Sequence, residues 1–344
     1  MLVSKVLKEL TSIPSPSGFE SRIKKTITHF LSPYTDSIKE DIRGNLICTK
    51  LSKKTDNVKT LMFIAHMDEV GFMITYIEEN GFIRFTNIGG IDVHILKGSP
   101  IQILHNDIIV NGVIGVKPAH MKKESKHEDY DFSDLWIDIG VKNKEEALQF
   151  ISVGDCAVIK SDYMEMPNNL ISCRGCDDKS GIVALIKMME ILSDNKCPNN
   201  IVVVFSVQEE IGLRGAKTSS YNISPDICIA VDVAHATDYP TINKAKYGDI
   251  RLGNGPVIPF GQDFTVKIQK NLIDIAEKFN LKYQTLALSN YSGTDVNAVG
   301  VSKGGCMTGL LSIPCRHMHT PIEIVSLTDI NDVGKILADF CKLN

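Results

Sequence analysis

The sequence predicts an α/β protein, a mostly parallel sheet sandwiched by helices, with a small β-rich, barrel-like module inserted into it. Three observations lead there. Apolar, β-branched runs at Thr60–His66 (TLMFIAH), Val202–Val207 (VVVFSV) and Asp226–Val233 (DICIAVDV) have the composition of strands covered on both faces. After Tyr163 such runs alternate with helical stretches, the pattern of a parallel sheet with helices on either side. Between about Val70 and Tyr163 the texture changes to short alternating apolar pieces separated by Gly, Asn and Asp, as in GFIRFTNIGG, SPIQILHNDIIVNGVIGV and DCAVIK. The expected division is a discontinuous α/β domain, residues 1–69 and 164–344, around an insert of residues 70–163.

The elements follow in order. Ser17-Gly18-Phe19-Glu20 reads as a capping box, and SRIKKTITHFL behind it sets Ile23, Ile27 and Phe30 at helical spacing. A hairpin is expected where Ile42 and Leu46–Cys48 flank Arg43-Gly44-Asn45. Inside the insert, MKKESKHEDYDF (Met121–Phe132) is dense in mixed charge and reads as a solvated, mobile loop. Helices are expected over SGIVALIKMMEILSD, across Asp263–Phe279 and across Leu327–Cys341, with a further strand at Tyr283–Leu288.

Composition narrows the function. A chain of 344 residues, 43% hydrophobic and 23% charged, is of ordinary globular character. A net charge of −4 gives no electrostatic case for nucleic acid. No stretch has transmembrane length, and MLVSKVLKEL lacks the apolar core of a signal peptide, so no membrane association is expected. Nine scattered cysteines suit a reducing, cytoplasmic setting. Cys173 and Cys176 form a C-x-x-C without the second pair a structural zinc site needs, and read as two small, semi-buried thiols.

The chemistry gathers at expected strand ends, where α/β sheets place their functional groups. TLMFIAH ends in His66-Met67-Asp68, VVVFSV in Glu209-Glu210, and DICIAV in Asp232. Asp177-Asp178 precede a helix, and His317 and His319 lie in LLSIPCRHMHTPIE. Two adjacent buried carboxylates repel, so the glutamate pair calls for a positive partner. Imidazole with carboxylate, without thiolate, suits Zn²⁺, or Co²⁺ or Mn²⁺. The surplus of carboxylates suggests two ions sharing a bridging carboxylate. Residues two apart on a strand face one side, so Asp68 can sit behind His66 and orient its ring. Of the two glutamates, one would bind metal and the other would take a proton from water activated there.

AHMDEVGF, CDDKSG, VQEEIGLRGA, AVDVAHATDYP, SGTDV and SIPCRHMHTPIE together resemble the successive signatures of the co-catalytic dinuclear-metal aminopeptidase family. That family includes glutamyl, leucyl and deblocking aminopeptidases and the TET-type tetrahedral peptidases. The resemblance covers nearly the whole chain and includes IGGIDVHIL, NGVIGVKPAH and DIGVKNKEEA of the insert, similar to the family's dimerisation domain. It implies a zinc-peptidase fold. It implies His66, Asp177 and Asp232 on one metal, and Asp177, Glu210 and His319 on the other, with Asp177 bridging. It further implies Glu209 as general base, Asp68 as support for His66 and a cis peptide between Asp177 and Asp178. The implied substrate is a short peptide with a free amino terminus, and the implied assembly a homo-oligomer, either a dimer or a tetrahedral dodecamer. Two departures stand out: Lys179 where arginine is common, and SKGGCMTG without a proline usual before the last ligand strand.

Other residues are weighed beside these. His317 is an alternative to His319. His235 and Asp238 read as supporting residues, Thr294 and Asp295 equally as pocket or helix start, and Glu323 equally as a support for the last ligand or as exposed. His94, His105 and His120 read as surface or packing residues of the insert. Rival functions are an N-acyl amino acid deacylase or desuccinylase on the same metals, a metal-independent glycosidase using paired carboxylates, and a catalytically idle assembly scaffold.

Overall fold

Four parallel strands form the middle of the main sheet in the computed structural model, which describes residues 2–121, 131–193 and 197–343. In spatial order they are Asn200–Ser206, Thr60–His66, Ile227–His235 and Met307–Arg316. Each is an apolar run because both faces are covered. Leu61, Phe63, Val203, Ile229 and Leu311 enter the large core on one face, while Met62, Ile64, Val204, Cys228 and Leu310 enter a smaller core on the other. The alternation is the period of two expected of strands.

The sheet is parallel at its centre and antiparallel at its margins. Ser37–Glu40 and Leu46–Lys50 flank one side, and Glu323–Ser326, Leu170–Cys173 and Met164–Met166 the other, all through antiparallel pairings. Ser37–Glu40 with Leu46–Lys50 and Met164–Met166 with Leu170–Cys173 are joined by connections too short for a parallel crossover. Val257–Gly261 branches off Met307–Arg316 and carries Gln284–Leu288 as a parallel outer strand.

The helix Cys176–Ile191 explains its own composition. It is buried on nearly every side, covered by the sheet and by the helices Val3–Thr11 and Leu327–Leu343, so an amphipathic stripe would be out of place. The insert closes on itself as a six-stranded barrel in the order Gly71–Ile77, Ile83–Ile88, Trp136–Asp138, Ile108–Gly115, Pro100–His105 and Cys156–Ile159. Phe72, Ile74, Phe85, Ile101, Ile103 and Ile137 fill it. Most of the mixed-charge segment Met121–Phe132, residues 122–130, lies outside the described residues.

Two local expectations are corrected. Ser17–Glu20 makes no capping box: the helix begins at Ser21, and the Ser17 hydroxyl is buried with no hydrogen-bond partner among the described residues. Glu20 instead accepts the N–H groups of Gly18 at 2.7 Å and Gln208 at 3.0 Å, serving the turn that carries the glutamate pair. A tertiary donor has outcompeted a local cap. Ile42 lies outside the hairpin strands and is fully exposed, because the Asp41 carboxylate gathers the N–H groups of Arg43, Gly44 and Asn45 and closes the turn earlier. Among the described residues, no helix is long and apolar enough to cross a membrane.

Candidate metal centre

The parallel strands deliver their carboxyl ends to one edge of the sheet. His66 ends its strand in register with Ser206, three residues before Glu209, and Asp232 lies on the neighbouring strand. Asp177 and Asp178 open the helix Cys176–Ile191, and the peptide between them is cis. His319 follows the strand Met307–Arg316 with φ of 61°, a left-handed conformation uncommon for a residue with a side chain. Surrounding contacts hold it there: Glu323 accepts its N–H at 2.8 Å, and the barrel's Gly90 carbonyl accepts from Nδ1 at 2.7 Å.

Both imidazoles are prepared in the same way. His66 Nδ1 donates to the main-chain carbonyl of Asp68 at 3.0 Å, as His319 Nδ1 does to Gly90. A carbonyl only accepts, so each ring turns Nε2 inward. Asp177 lies between them, with Oδ1 at 3.0 Å from His66 Nε2 and Oδ2 at 3.3 Å from His319 Nε2. Glu210 Oε1 is 3.2 Å from His319 Nε2, and Asp232 Oδ1 is 3.9 Å from His66 Nε2.

The carboxylate of Asp68 stands 3.7 Å from His66 Nδ1 and accepts the N–H groups of Glu209 at 3.0 Å and Glu210 at 3.1 Å. One residue thus orients the ring through its carbonyl and the glutamate turn through its side chain. The two glutamates differ. Both line one cavity, but Glu210 reaches His319, whereas the Glu209 carboxylate makes no ion pair with the described residues.

Electrostatics identifies what the site is built to hold. Asp68, Asp177, Asp178, Glu209, Glu210, Asp232, Asp295 and Glu323 crowd around two imidazoles. Burial and the neighbouring anions push Glu209, Asp232 and Asp178 well above the usual carboxylate range. Asp177 goes the other way: burial raises it, but the hydrogen bonds from His319 and His66 outweigh that and hold it low. Burial pulls His319 down, yet Asp177 and Glu210 carry it to about 11. Among the described residues, no hydrogen bond is directed at a buried oxygen of Asp178, Glu210 and Asp295. Ligands at 2.0–2.1 Å around a tetrahedral ion lie about 3.3 Å apart, and the Asp177 and Glu210 contacts to the imidazoles, at 3.0–3.3 Å, match that spacing. His66, Asp178 and Asp232 form one group able to share an ion, and His66, Asp177 and Glu210 another. The donors fit divalent cations.

Sequence reasoning left the roles of Glu323, Asp178 and Asp295 open or unstated. Glu323 is buried and accepts from the N–H groups of His319 and, at 3.2 Å, Asp177. Asp178 accepts from Gly181 N–H at 2.9 Å. Asp295 accepts from the Ser206 hydroxyl, and burial raises its carboxyl to about 6. Their neighbours in sequence were the only signal. Thr294 lines the cavity, as does His235. His317 is exposed against the Tyr239 ring, and Asp238 holds Arg316 through two contacts of 2.6 Å. His94 and His105 pair with Asp92 and Asp155 in the barrel, each at 2.8 Å, and His120 is exposed. Cys173 and Cys176 are fully rather than half buried, their sulfurs 3.4 Å apart.

An α/β sheet with acid and imidazole groups on its carboxyl edge, plus a closed barrel, is the architecture of a metal-dependent hydrolase. Residues 44–336 match the model of the M42 glutamyl aminopeptidase family, and the chain belongs to that family. A lysyl aminopeptidase of Pyrococcus furiosus is 29% identical, over 96% of this chain and 94% of its own. The solved aminopeptidase of Desulfurococcus kamchatkensis is 34% identical with a TM-score of 0.92, over 99% of this chain and 95% of its own. The TET1 peptidase of Pyrococcus horikoshii, whose structure is described as able to assemble into a tetrahedron or a large octahedral shell, is 32% identical with a TM-score of 0.88, over 99% of this chain and all of its own. The chain is accordingly an aminopeptidase-type hydrolase, and membership implies use of a divalent metal.

Proposed function

We propose that the chain removes single amino-terminal residues from short peptides, using two divalent ions, with Zn²⁺ favoured and Co²⁺ or Mn²⁺ as substitutes. His66, Asp177 and Asp232 would hold one ion, and Asp177, Glu210 and His319 the other. Asp177, with one carboxylate oxygen toward each imidazole, supports the bridging role. When bound, such ions polarise a carbonyl and make water more acidic.

The observation that carries the reading is the contrast at Glu209-Glu210: both carboxylates line the cavity, but Glu210 Oε1 lies 3.2 Å from His319 Nε2, whereas Glu209 is held by no imidazole or other cation among the described residues. Glu209 takes a proton from water as its oxygen attacks the first peptide carbonyl carbon. As the C–N bond breaks, Glu209 returns that proton to the leaving nitrogen. The products are a free amino acid and a peptide one residue shorter. Asp68 holds the glutamate turn and the His66 ring in place throughout.

We further propose a homo-oligomer, a dimer or a tetrahedral dodecamer, joined through the barrel. The shells formed by the Pyrococcus horikoshii relative support this. The nine free thiols support a cytoplasmic setting. The test is mass spectrometry of metal-loaded protein with matched free and N-acetylated peptides. Stepwise loss of single residues from free peptides alone is expected. Release of acetate from blocked peptides would replace the reading with a deacylase.

A further inference from the structure

The cavity in front of Glu209 has a volume of about 390 Å³ and two chemically different ends. The charged end is the cluster around His66, Asp177 and His319. The other is walled by Val257, Pro259, Leu286, Leu288 and Leu310. Local structure explains that wall. Pro259 pairs with Leu286 in the parallel register of Val257–Gly261 and Gln284–Leu288, so side chains two apart on each strand share one face. Ile258, between Val257 and Pro259, turns the other way into the large core beneath the helix Val266–Lys278. One face of the two-stranded ribbon is thus spent on the core, and its opposite apolar face borders the cavity.

We propose, resting on the aminopeptidase reading above, that this apolar end receives the side chain of the substrate's first residue and selects large neutral apolar residues over acidic or basic ones. Val257 is fully buried and Leu310 nearly so, and the hydroxyl groups of Ser292 and Thr294 at the margin bond each other at 3.0 Å. The five side chains of that wall carry no charge to pair with an incoming carboxylate or ammonium. A charged tip entering it loses water and gains no partner. The cation on the lining, Lys246, is fully exposed at the rim, its Nζ 4.7 Å from the centre of the Tyr247 ring. Leu286 is the adjustable wall residue: it is half-buried on an outer strand and packs over Gly248, where a Cβ would come within 2.8 Å of Leu286 Cδ1.

The test measures kcat/KM of the metal-loaded full chain on amino-acid anilides that differ only in the first residue, together with calorimetric binding of the corresponding amino-acid amides. Leucine or methionine is expected to exceed alanine by on the order of 10-fold, and glutamate and lysine by about 100-fold or more. Leu286→Arg, with an unchanged melting curve, is expected to lower leucine turnover by about 10-fold and narrow the gap to glutamate. Hydrolysis that favours glutamate and loses that preference in Lys246→Ala overturns the proposal, because the rim cation would then be the selector. Hydrolysis fastest on lysine, or indifferent to the first residue, overturns it equally while leaving the aminopeptidase reading intact. Tighter binding of leucinamide than of the charged amides, without cleavage of any anilide, upholds the pocket and sinks the catalytic reading.

Discussion

Two charged clusters meet at the start of the helix Cys176–Ile191, and they are opposites. In one, Glu69 is enclosed by Arg174 and Lys179, the latter at 2.7 Å, and also accepts the N–H of Ser15 at 2.8 Å. Burial pushes the Glu69 carboxyl up, but the two cations outweigh it and hold it at about 2. In the other, Glu209, Asp232 and Asp178 are as deeply buried, yet burial and mutual repulsion push them all upward. Residue types and burial match; only the supply of positive charge differs. A buried carboxylate with its own cations is part of the frame, whereas a cluster of carboxylates short of cations is built to receive one.

The largest expected effect separates the two clusters by chemistry. Glu209→Gln should lower kcat by about 10²–10⁴-fold, with metal content by elemental analysis equal to the parent. Unchanged turnover, or lost metal, would place Glu209 among the ligands and erase its distinction from Glu210.

Next, the balanced cluster should behave as frame. Lys179→Met leaves a buried anion with one cation fewer and should cost about 3–5 kcal/mol of stability, measured by denaturant unfolding. Metal content and kcat/KM at low temperature should stay near the parent. A large loss of activity in a stably folded variant would tie Glu69 and Lys179 to the chemistry.

The smallest effect is a difference in sign with pH. Glu69 is lowered from 4.5, so it binds fewer protons folded than unfolded. Its contribution, on the order of 3 kcal/mol, is complete above its ordinary value and is lost as pH falls toward about 2. In metal-stripped protein Asp295, raised from 3.8 to about 6, and the more strongly raised Glu209 and Asp232 bind more protons folded. Their contribution is greatest below about pH 4 and is lost as pH rises through about 6 and beyond. The raised His66 and His319 act in the same direction at higher pH. Melting temperature of chelated protein should therefore fall between about pH 4 and pH 8, and metal-loaded protein should lack that fall. A flat profile after chelation would remove the imbalance from the comparison.

Much of this was legible in the sequence because it depends on local period and residue chemistry. Buried runs such as TLMFIAH and VVVFSV announced central strands, and their ends named His66, Glu209, Glu210 and Asp232. The change of texture near Val70 announced the barrel. Competition between distant groups was not legible. The Glu20 carboxylate could cap its own helix or serve Gln208, and only the arrival of that N–H from 188 residues away decided it. Glu323 could be exposed or a support until the folded chain set the N–H groups of His319 and Asp177 against it. Lys179 looked like a departure from a pattern until Glu69 came within 2.7 Å. The sequence alone determined which groups lie at which strand ends, because strand period and burial are properties of short segments. Only the tertiary structure decided which buried charges are balanced and which are not, because that balance sums contacts between segments far apart in the chain.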